Sequence, residues 1–590
     1  MQRMWMRIAV ALGQGAWLWW LYWSLDDTRW PGTDLGWLVG LAAPGVLVPL
    51  AHYLIEDLAP GRRGRLVLVP LALALFGIGW HHGAWTAGEP YENPLPFVVP
   101  LAVLEFHALP FLQCWLETGR VRPAYAGLFR FAWRNALLLG FGGVFTSVLW
   151  LLLWLWAELF RMIGIDFFRE LFMEAYFAIP ATAVAVGIGM QLAGSVERLQ
   201  TLLRSQLLTM LKWLAPLAIL ILALFTVTLL VKSPELLLEQ RRVISAAWLL
   251  WLIALTVCLL NAAYQDGSVE APYPAWLGRT IRWVVPLLTV VAALALYAIV
   301  VRVQSYGLTV ARTWALLVAL VAAAYAAGYS WSAMRGKAWM AEMGRVNVAI
   351  ALGTVAMLTL MLSPPLAPER FSAASQETRV LASQEADAYD YLRFASGRYG
   401  RERLKRLAEL QDHPAAAAIR EAAAAKLAQA SRYGGRAKGV ALSPAHFEVF
   451  PSGGALDHEL LELLRADHGQ RDVTWFCEPA DPCPILLVDL DRDHEDEALI
   501  FSRSGVLAAR REEGRWVPYE GTSLDSQYAD PEAIRKALRA GHYTVRKPRH
   551  QVLEIGERLF LVEEPESVPA GDCAEAAAKD PCDRAPAAPR

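Results

Sequence analysis

Few side chains in this sequence combine a reactive type with a suggestive spacing, and they fall in two contrasting settings. Glu105 and His107 lie in the middle of an apolar run, where ionisable groups are costly to bury and by default point to function. A buried carboxyl and an imidazole can both titrate near neutral pH, which is the chemistry of a proton relay or a substrate site. Spaced i,i+2 they project from different helix faces, so they do not form a two-ligand site by themselves. The alternative is that the segment bends at its prolines and Glu105 makes a polar contact between helices. The second setting is polar: Asp489-Leu-Asp491-Arg-Asp493-His-Glu495-Asp-Glu497. Carboxylates at alternate positions, with another four residues on, can wrap a hard cation, and Asp489, Asp491, Asp493 and Glu497 would be the calcium ligands. His494 stands where such loops carry glycine for the sharp turn, so an acidic hairpin turn without metal is the competing reading. No other cofactor is expected.

Weaker constellations complete the inventory. Asp26-Asp27 sits where membrane glycosyltransferases place a catalytic carboxylate, although the loop to Asp34 is short. His81-His82, with Glu89 and Glu92, would occupy a loop; adjacent histidines rarely ligate one metal. There is no P-loop, HExxH or GxSxG nucleophile elbow.

The elements that must position these groups are apolar helices. A helix needs roughly 20 mostly apolar residues to cross a ~30 Å hydrocarbon core. Such runs lie near residues 5–25, 35–55, 65–86, 95–115, 136–158, 171–194, 210–231, 243–263, 281–303, 312–334 and 344–363. The first resembles an uncleaved signal anchor, with Arg3 and Arg7 ahead of the apolar run. Two amphipathic stretches, 123–135 and 195–212, suggest interfacial helices or a docking surface. The 590 residues are 55% hydrophobic, and 22 of the 24 Trp precede Ser363. Tryptophan favours membrane–water interfaces, which accounts for the bias. The expected fold class is a polytopic α-helical membrane protein, with about eleven spans, carrying a C-terminal soluble α+β domain. Its parts would be a transmembrane domain over 1–363, a helical juxtamembrane region over 364–438, an α+β domain over 439–568 and an Ala/Pro-rich tail over 569–590.

Charge orients this chain. With the N-terminus in the cytoplasm, the inside loops hold 17 Lys and Arg and the outside loops 8. That is the positive-inside bias. An odd number of spans then puts the C-terminal domain outside the cytoplasm. Residues 1–363 carry 25 basic against 19 acidic side chains, and the remainder 30 against 38. An acidic soluble half argues against nucleic acid as a partner. Four of the six cysteines form two local pairs in that half, Cys477 with Cys483 and Cys573 with Cys582. Paired cysteines suit disulfides in an oxidising compartment, and the six-residue separation is wider than zinc modules use. Cys114 and Cys258 fall in spans.

Beyond Pro368 the pattern predicts helices over 386–399, 401–411 and 415–430. Strands follow near 446–450, 472–476, 485–489, 498–502, 515–519 and 558–562, with helices near 456–466 and 531–539. At the end of the eighth span, Asn261, Tyr264, Gln265, Asp266 and Gly267 form a cytoplasmic loop motif. Asn261 could cap the helix and Gly267 turn the chain; a binding surface is the alternative.

Several strings together resemble a known family: Asp166–Phe172 (DFFRELF), Leu260–Gly267 with Pro272-Tyr-Pro274, Tyr306-Gly-Leu-Thr309, and Tyr389–Phe394 with Gly397–Gly400. They are similar to the bacterial multi-pass membrane family catalogued as domain of unknown function 4153, over roughly residues 5–520. The resemblance implies an inner-membrane protein with a periplasmic tail and brings no reaction. It also implies a DxDxDG loop where this chain has His494. The expectation is an envelope anchor or sensor whose periplasmic domain binds an envelope protein or glycan. Alternatives are a proton-coupled transporter using Glu105 and His107, and a lipid-linked glycosyltransferase-like enzyme.

Overall fold

The structure, a computed structural model, describes residues 2–59, 62–86, 95–194, 197–238, 245–267, 272–335, 339–429, 442–451, 456–465, 477, 479, 482–490, 494–502, 505–512, 514–518, 531–543, 553–555 and 558–560. It divides into two compact units, Met1–Arg432 and Tyr433–Arg590.

The first unit begins with α1 (Gln2–Asp26), α2 (Leu35–Ile55), α3 (Arg62–His81), α4 (Leu95–Thr118), α5 (Tyr125–Arg161), α6 (Phe167–Met173) and α7 (Ala175–Gly194). It continues with α8 (Glu197–Leu238), α9 (Ala246–Tyr264), α10 (Ala275–Val284), α11 (Leu287–Tyr306), α12 (Val310–Met334) and α13 (Trp339–Met361). Among the described residues, ten helical segments are long and apolar enough to cross a membrane. α1 is as long, but its apolar run is interrupted by Gln14 and carries five Trp and a Tyr among its aliphatic residues. Large side chains such as Leu73, Leu151 and Trp248 stand exposed on these helices. Apolar surface on that scale is what a bilayer covers. The chain is a multi-pass membrane protein.

Both amphipathic stretches run without interruption into long spans. α5 runs 37 residues and α8 runs 42, about 55 and 63 Å at 1.5 Å per residue. No breaker separates the amphipathic stretch from the span that follows. In α5 its aromatic face is turned inward, with Leu128, Phe129, Phe131 and Asn135 buried. α4 likewise stays helical through Pro100 and Pro110.

Four further helices follow: α14 (Pro368–Ser383), α15 (Ala386–Phe394), α16 (Gly397–Ala408) and α17 (Ala416–Ala428). They share a core of Ala373, Val380, Tyr389, Leu392, Leu404 and Ile419. The expected helix break at Gly400 falls elsewhere, at Ala395-Ser396. Gly400 lies inside α16, where a Cβ would stand 2.1 Å from the Leu392 carbonyl oxygen. Its glycine permits close approach rather than ending a helix.

The second unit is α+β. Its strands are β1 (Phe447–Phe450), β2 (Cys483–Val488), β3 (Glu497–Ser502), β4 (Gly505–Glu512) and β5 (Arg515–Pro518), hydrogen-bonded in that order. β1 runs parallel to β2 and the other pairs are antiparallel. α18 (His458–Arg465) supplies the crossover between β1 and β2. Successive strand residues face opposite sides: Ile485 packs with Leu460 and Leu464 of α18. Leu486 packs instead with Leu538 of α19 (Pro531–Arg539). A hairpin of β6 (Leu553–Ile555) and β7 (Arg558–Phe560) ends the described chain. β4 and β6 were not foreseen in the sequence, and the strand expected over 472–476 lies outside the described residues.

Candidate functional site

α4, α5, α9, α12 and α13 line an open-sided chamber of about 420 Å³ in the membrane half. That volume is within the range of small-molecule sites. Its walls are apolar and aromatic, with Phe111, Phe129, Trp133 and Tyr325 among them. Its polar lining comprises His107, Tyr125, Cys258, Asn261, Tyr325 and Asn347. The sequence singled out His107 and Asn261 separately; the fold brings them to one cavity. Tyr125, Tyr325, Tyr329 and Asn347 went unremarked, although an amide inside an apolar run is itself a signal.

Asn261 is the hub of that polar edge. Its Oδ1 lies 2.9 Å from the Tyr329 hydroxyl, 2.6 Å from Asn347 Nδ2 and 3.4 Å from the Tyr125 hydroxyl. The Tyr329 hydroxyl also lies 2.8 Å from Asn347 Oδ1. A phenol has one proton, so it donates to one of the two carboxamide oxygens at a time. Asn261 does not cap its helix with its side chain; its backbone carbonyl accepts from the Gln265 N–H at 2.8 Å. Tyr264 stacks on Tyr125, ring centroids 5.8 Å apart, which ties the loop motif to the chamber wall. Gln265 and Gly267 take positive φ, 56° and 91°, and Gly267 turns the chain as its type suggests. Asp266 also has an interaction partner.

On α4 the two expected residues separate. The carbonyl of Val103 accepts from His107 Nδ1 at 2.8 Å, while the ring lines the chamber. Glu105 is 7% exposed and its Oε1 has no hydrogen-bond partner among the described residues. The expected polar contact for that oxygen is therefore not made.

Two other family-like strings, Tyr306–Thr309 and Tyr389–Gly400, meet at the other end of the bundle, in a clasp between the membrane helices and α14–α16. Tyr306-Gly-Leu-Thr309 links α11 to α12, and its backbone is held by side chains from below. The Leu308 N–H donates to Ser375 Oγ at 2.9 Å, and the Leu308 carbonyl accepts from Gln376 Nε2 at 3.0 Å. Arg379 donates to the Tyr306 carbonyl at 2.8 Å, and the Val310 N–H donates to the Tyr391 hydroxyl at 2.6 Å. Gly307 has φ +70°, and a Cβ there would lie 2.6 Å from Arg379 Cδ. Tyr399 of α16 reaches His81 Nε2 at 3.1 Å and packs on Trp85 at 5.2 Å. His81 and His82 are therefore helical, not loop, and His82 stacks on Phe97 at 3.9 Å. Glu89 and Glu92 lie outside the described residues. Burial pushes the nearby Glu369 carboxyl up to about 7. In the α1–α2 turn, which packs against the same end of α3, Asp27 pairs with Arg29 at 2.7 Å.

In the α+β unit a second cavity, about 320 Å³, lies between α18, β2 and the 494–496 loop. Asp457 on its rim accepts from the Trp516 indole at 2.9 Å and from Arg511 at 2.8 Å. The Trp516 hydrogen bond, with Arg511 adding to it, holds that carboxyl below its usual range. In the acidic loop His494 takes φ +75°, the left-handed turn for which such loops use glycine, at a cost of roughly 1–2 kcal/mol for a side-chain-bearing residue. Its N–H donates to Asp489 Oδ2 at 3.2 Å, and Glu497 Oε2 accepts from the Leu490 N–H at 2.6 Å. Asp491 and Asp493 lie outside the described residues. Among the described residues no three His, Cys, Asp or Glu gather into a metal-sized group. Cys477 and Cys483 form a disulfide that is buried in the core of the unit. Cys573 and Cys582 lie outside the described residues.

A family model described as Domain of unknown function (DUF4153) matches residues 14–407. That stretch takes in the chamber, the Asn261 hub and the clasp, and ends within α16. No curated protein and no solved structure matches the chain.

Proposed function

Because the chain belongs to the DUF4153 family, whose description names no activity, its function has to be sought in its own side chains, and we propose that it is a carrier-type membrane protein that holds a lipophilic ligand between α4, α5, α9, α12 and α13. The observation that carries this is the 420 Å³ chamber, apolar and aromatic in its walls with a few polar groups gathered on one side. Sites of that build bind small molecules. Glu105 supplies a protonatable group on the same helix that contributes Phe106 and His107 to the wall. An ionisable side chain at bilayer depth is the usual mark of a substrate or proton path.

With α1 counted as an eleventh span beside the ten apolar segments, the carrier sits in a bacterial inner membrane with its N-terminus in the cytoplasm and its α+β unit in the periplasm. The 17-to-8 distribution of loop Lys and Arg supports that orientation. The Cys477–Cys483 disulfide supports it independently, since such bonds persist in oxidising compartments. A second reading, an envelope anchor whose α+β unit binds another envelope component, draws on the 320 Å³ cavity beside Asp457, Arg511 and Trp516.

Photolabelling in lipid nanodiscs tests the carrier. An uncharged aryl diazirine partitions into lipid and labels every lipid-facing helix without saturating. Labelling of peptides bearing Asn261 and Tyr325 should saturate, and Ala351→Trp, which fills the chamber, should abolish that component. Labelling that never saturates, and is unchanged by Ala351→Trp, would sink the proposal.

A further inference from the structure

The chamber's polar groups differ in how far the protein has already used them. All three hydrogen bonds to the Asn261 side chain end on Oδ1. Its Nδ2 therefore keeps two N–H donors with no partner among the described residues, on a side chain that lines the chamber. The Tyr325 hydroxyl, also in the lining, has no hydrogen-bond partner among the described residues either; its ring only meets Tyr329 edge-on at 5.9 Å. His107 is fixed differently. A carbonyl oxygen can only accept, so the 2.8 Å contact with Val103 places the proton of the neutral ring on Nδ1. Nε2 is left as a lone-pair acceptor. The described lining includes no Lys, Arg, Asp or Glu.

A ligand for this chamber has to satisfy unspent amide and phenol donors without bringing a charge that nothing in the lining would neutralise. An anion would lose its hydration and meet no Lys or Arg in the described lining in return. A cation could face the aromatic rings, but it would leave the Asn261 and Tyr325 donors unmet. Resting on the carrier reading, we infer that the ligand is an uncharged amphiphile drawn from the bilayer, with a hydroxyl or carbonyl head whose oxygen accepts from Asn261 Nδ2 and the Tyr325 hydroxyl. Its hydrocarbon body lies against Phe111, Phe129 and Trp133. A hydroxyl head has one further capacity, to donate to His107 Nε2. Asn261 and Tyr325 thus set which lipid-soluble molecules are held, and the aromatic wall sets only that they are apolar.

The test uses four photoreactive long-chain probes that differ only in the head: alcohol, plain hydrocarbon, carboxylate and trimethylammonium. The full chain is labelled in nanodiscs, and half-saturating concentrations are read from chamber peptides by mass spectrometry. The alcohol should saturate at least about fivefold below the hydrocarbon, one hydrogen bond's worth. Asn261→Leu should bring the two to parity while the hydrocarbon still labels. Tyr325→Phe removes a single hydroxyl from an otherwise unchanged ring; it should narrow the gap even if Asn261→Leu fails to fold. If no probe saturates, the chamber is not a ligand site and the carrier reading itself fails. If alcohol and hydrocarbon saturate alike in the unaltered chain, the carrier stands and the head-group inference falls. Tighter labelling by the carboxylate or the ammonium probe also overturns it, by showing a charged ligand.

Discussion

Two amide clusters are buried in the membrane half, and they are built to opposite ends. Between α4 and α5, Gln113 and Asn135 form a reciprocal pair. Gln113 Nε2 donates to Asn135 Oδ1 at 3.0 Å, and Asn135 Nδ2 donates to Gln113 Oε1 at 2.8 Å. Gln113 Nε2 also donates to the Leu54 carbonyl at 3.0 Å, and both side chains are 0% exposed. Among α9, α12 and α13, Asn261 and Asn347 bond to each other and to Tyr329, yet the Asn261 donors are left over beside a cavity. The same residue type, in helices of the same kind, can lock a bundle or present a binding edge. What separates the two is whether the neighbours use up the hydrogen-bonding capacity.

Breaking the closed pair should give the largest effect. Asn135→Leu keeps the volume but strands Gln113 Oε1, while Nε2 keeps the Leu54 carbonyl, and an orphaned buried polar group costs about 1–3 kcal/mol beyond the bonds lost. A loss near 3 kcal/mol is expected in reversible unfolding, and the double variant with Gln113→Leu should recover part of it. Interhelical side-chain bonds in bilayers average only ~0.6 kcal/mol by themselves, so a small loss in Asn135→Leu would mean that the orphan is re-satisfied and the pair is not closed.

Outside the bilayer the clasp repeats the contrast. Its backbone groups at Tyr306–Val310 are taken up by Ser375, Gln376, Arg379 and Tyr391, whereas the Glu369 carboxyl is held by burial with its affinity for protons raised to about 7. A carboxyl that binds its proton more tightly when folded contributes stability that is complete below its unfolded pKa near 4.5. That contribution is lost as pH rises through about 7. At about 1.4 kcal/mol per pKa unit, with allowance for solvent screening, the clasp should weaken by roughly 2 kcal/mol across that window. Glu369→Gln should flatten the profile; an unchanged slope would remove Glu369 as its source. Tyr391→Phe should cost less, about 1–2 kcal/mol, by leaving the Val310 N–H unpaired. Hydrogen exchange at that amide would report it directly.

How much of this could be read in advance follows from what each feature needs. The spans depend on one-dimensional apolar runs, and those were legible. α14 was not, because the positions it buries include Ser372, Ala373 and Gln376, which carry no hydrophobic period. The start of α5 differs from the expected interfacial helix in burying Leu128, Phe129 and Phe131, since an aromatic and arginine-rich face looks alike whether it meets lipid headgroups or protein. The chamber was hidden for a different reason. Asn261 meets Tyr329 and Asn347 across 68 and 86 residues of chain, and a single amide in an apolar run is a weaker signal than a charge. The family-like strings were visible as strings, but only the fold shows that two of them, at Tyr306–Thr309 and Tyr389–Phe394, form the two sides of one contact.

The smallest effect on stability, and the sharpest on function, is expected at Glu105. Its Oε1 bonds to no described residue, so unlike Asn135 that atom has no partner to strand. Gln has the same length and no charge, and removing a charge from bilayer depth lowers a cost rather than adding one. Glu105→Gln should therefore unfold within about 0.5 kcal/mol of the unaltered chain, or slightly later. If the carrier moves its ligand with a proton, the same variant loses the pH dependence of probe release while keeping saturable labelling of the chamber. A clear drop in stability would place Glu105 with Gln113 and Asn135, as a structural group. Intact stability with unaltered pH dependence would leave it with neither role, and the binding edge at Asn261 would then carry the function without it.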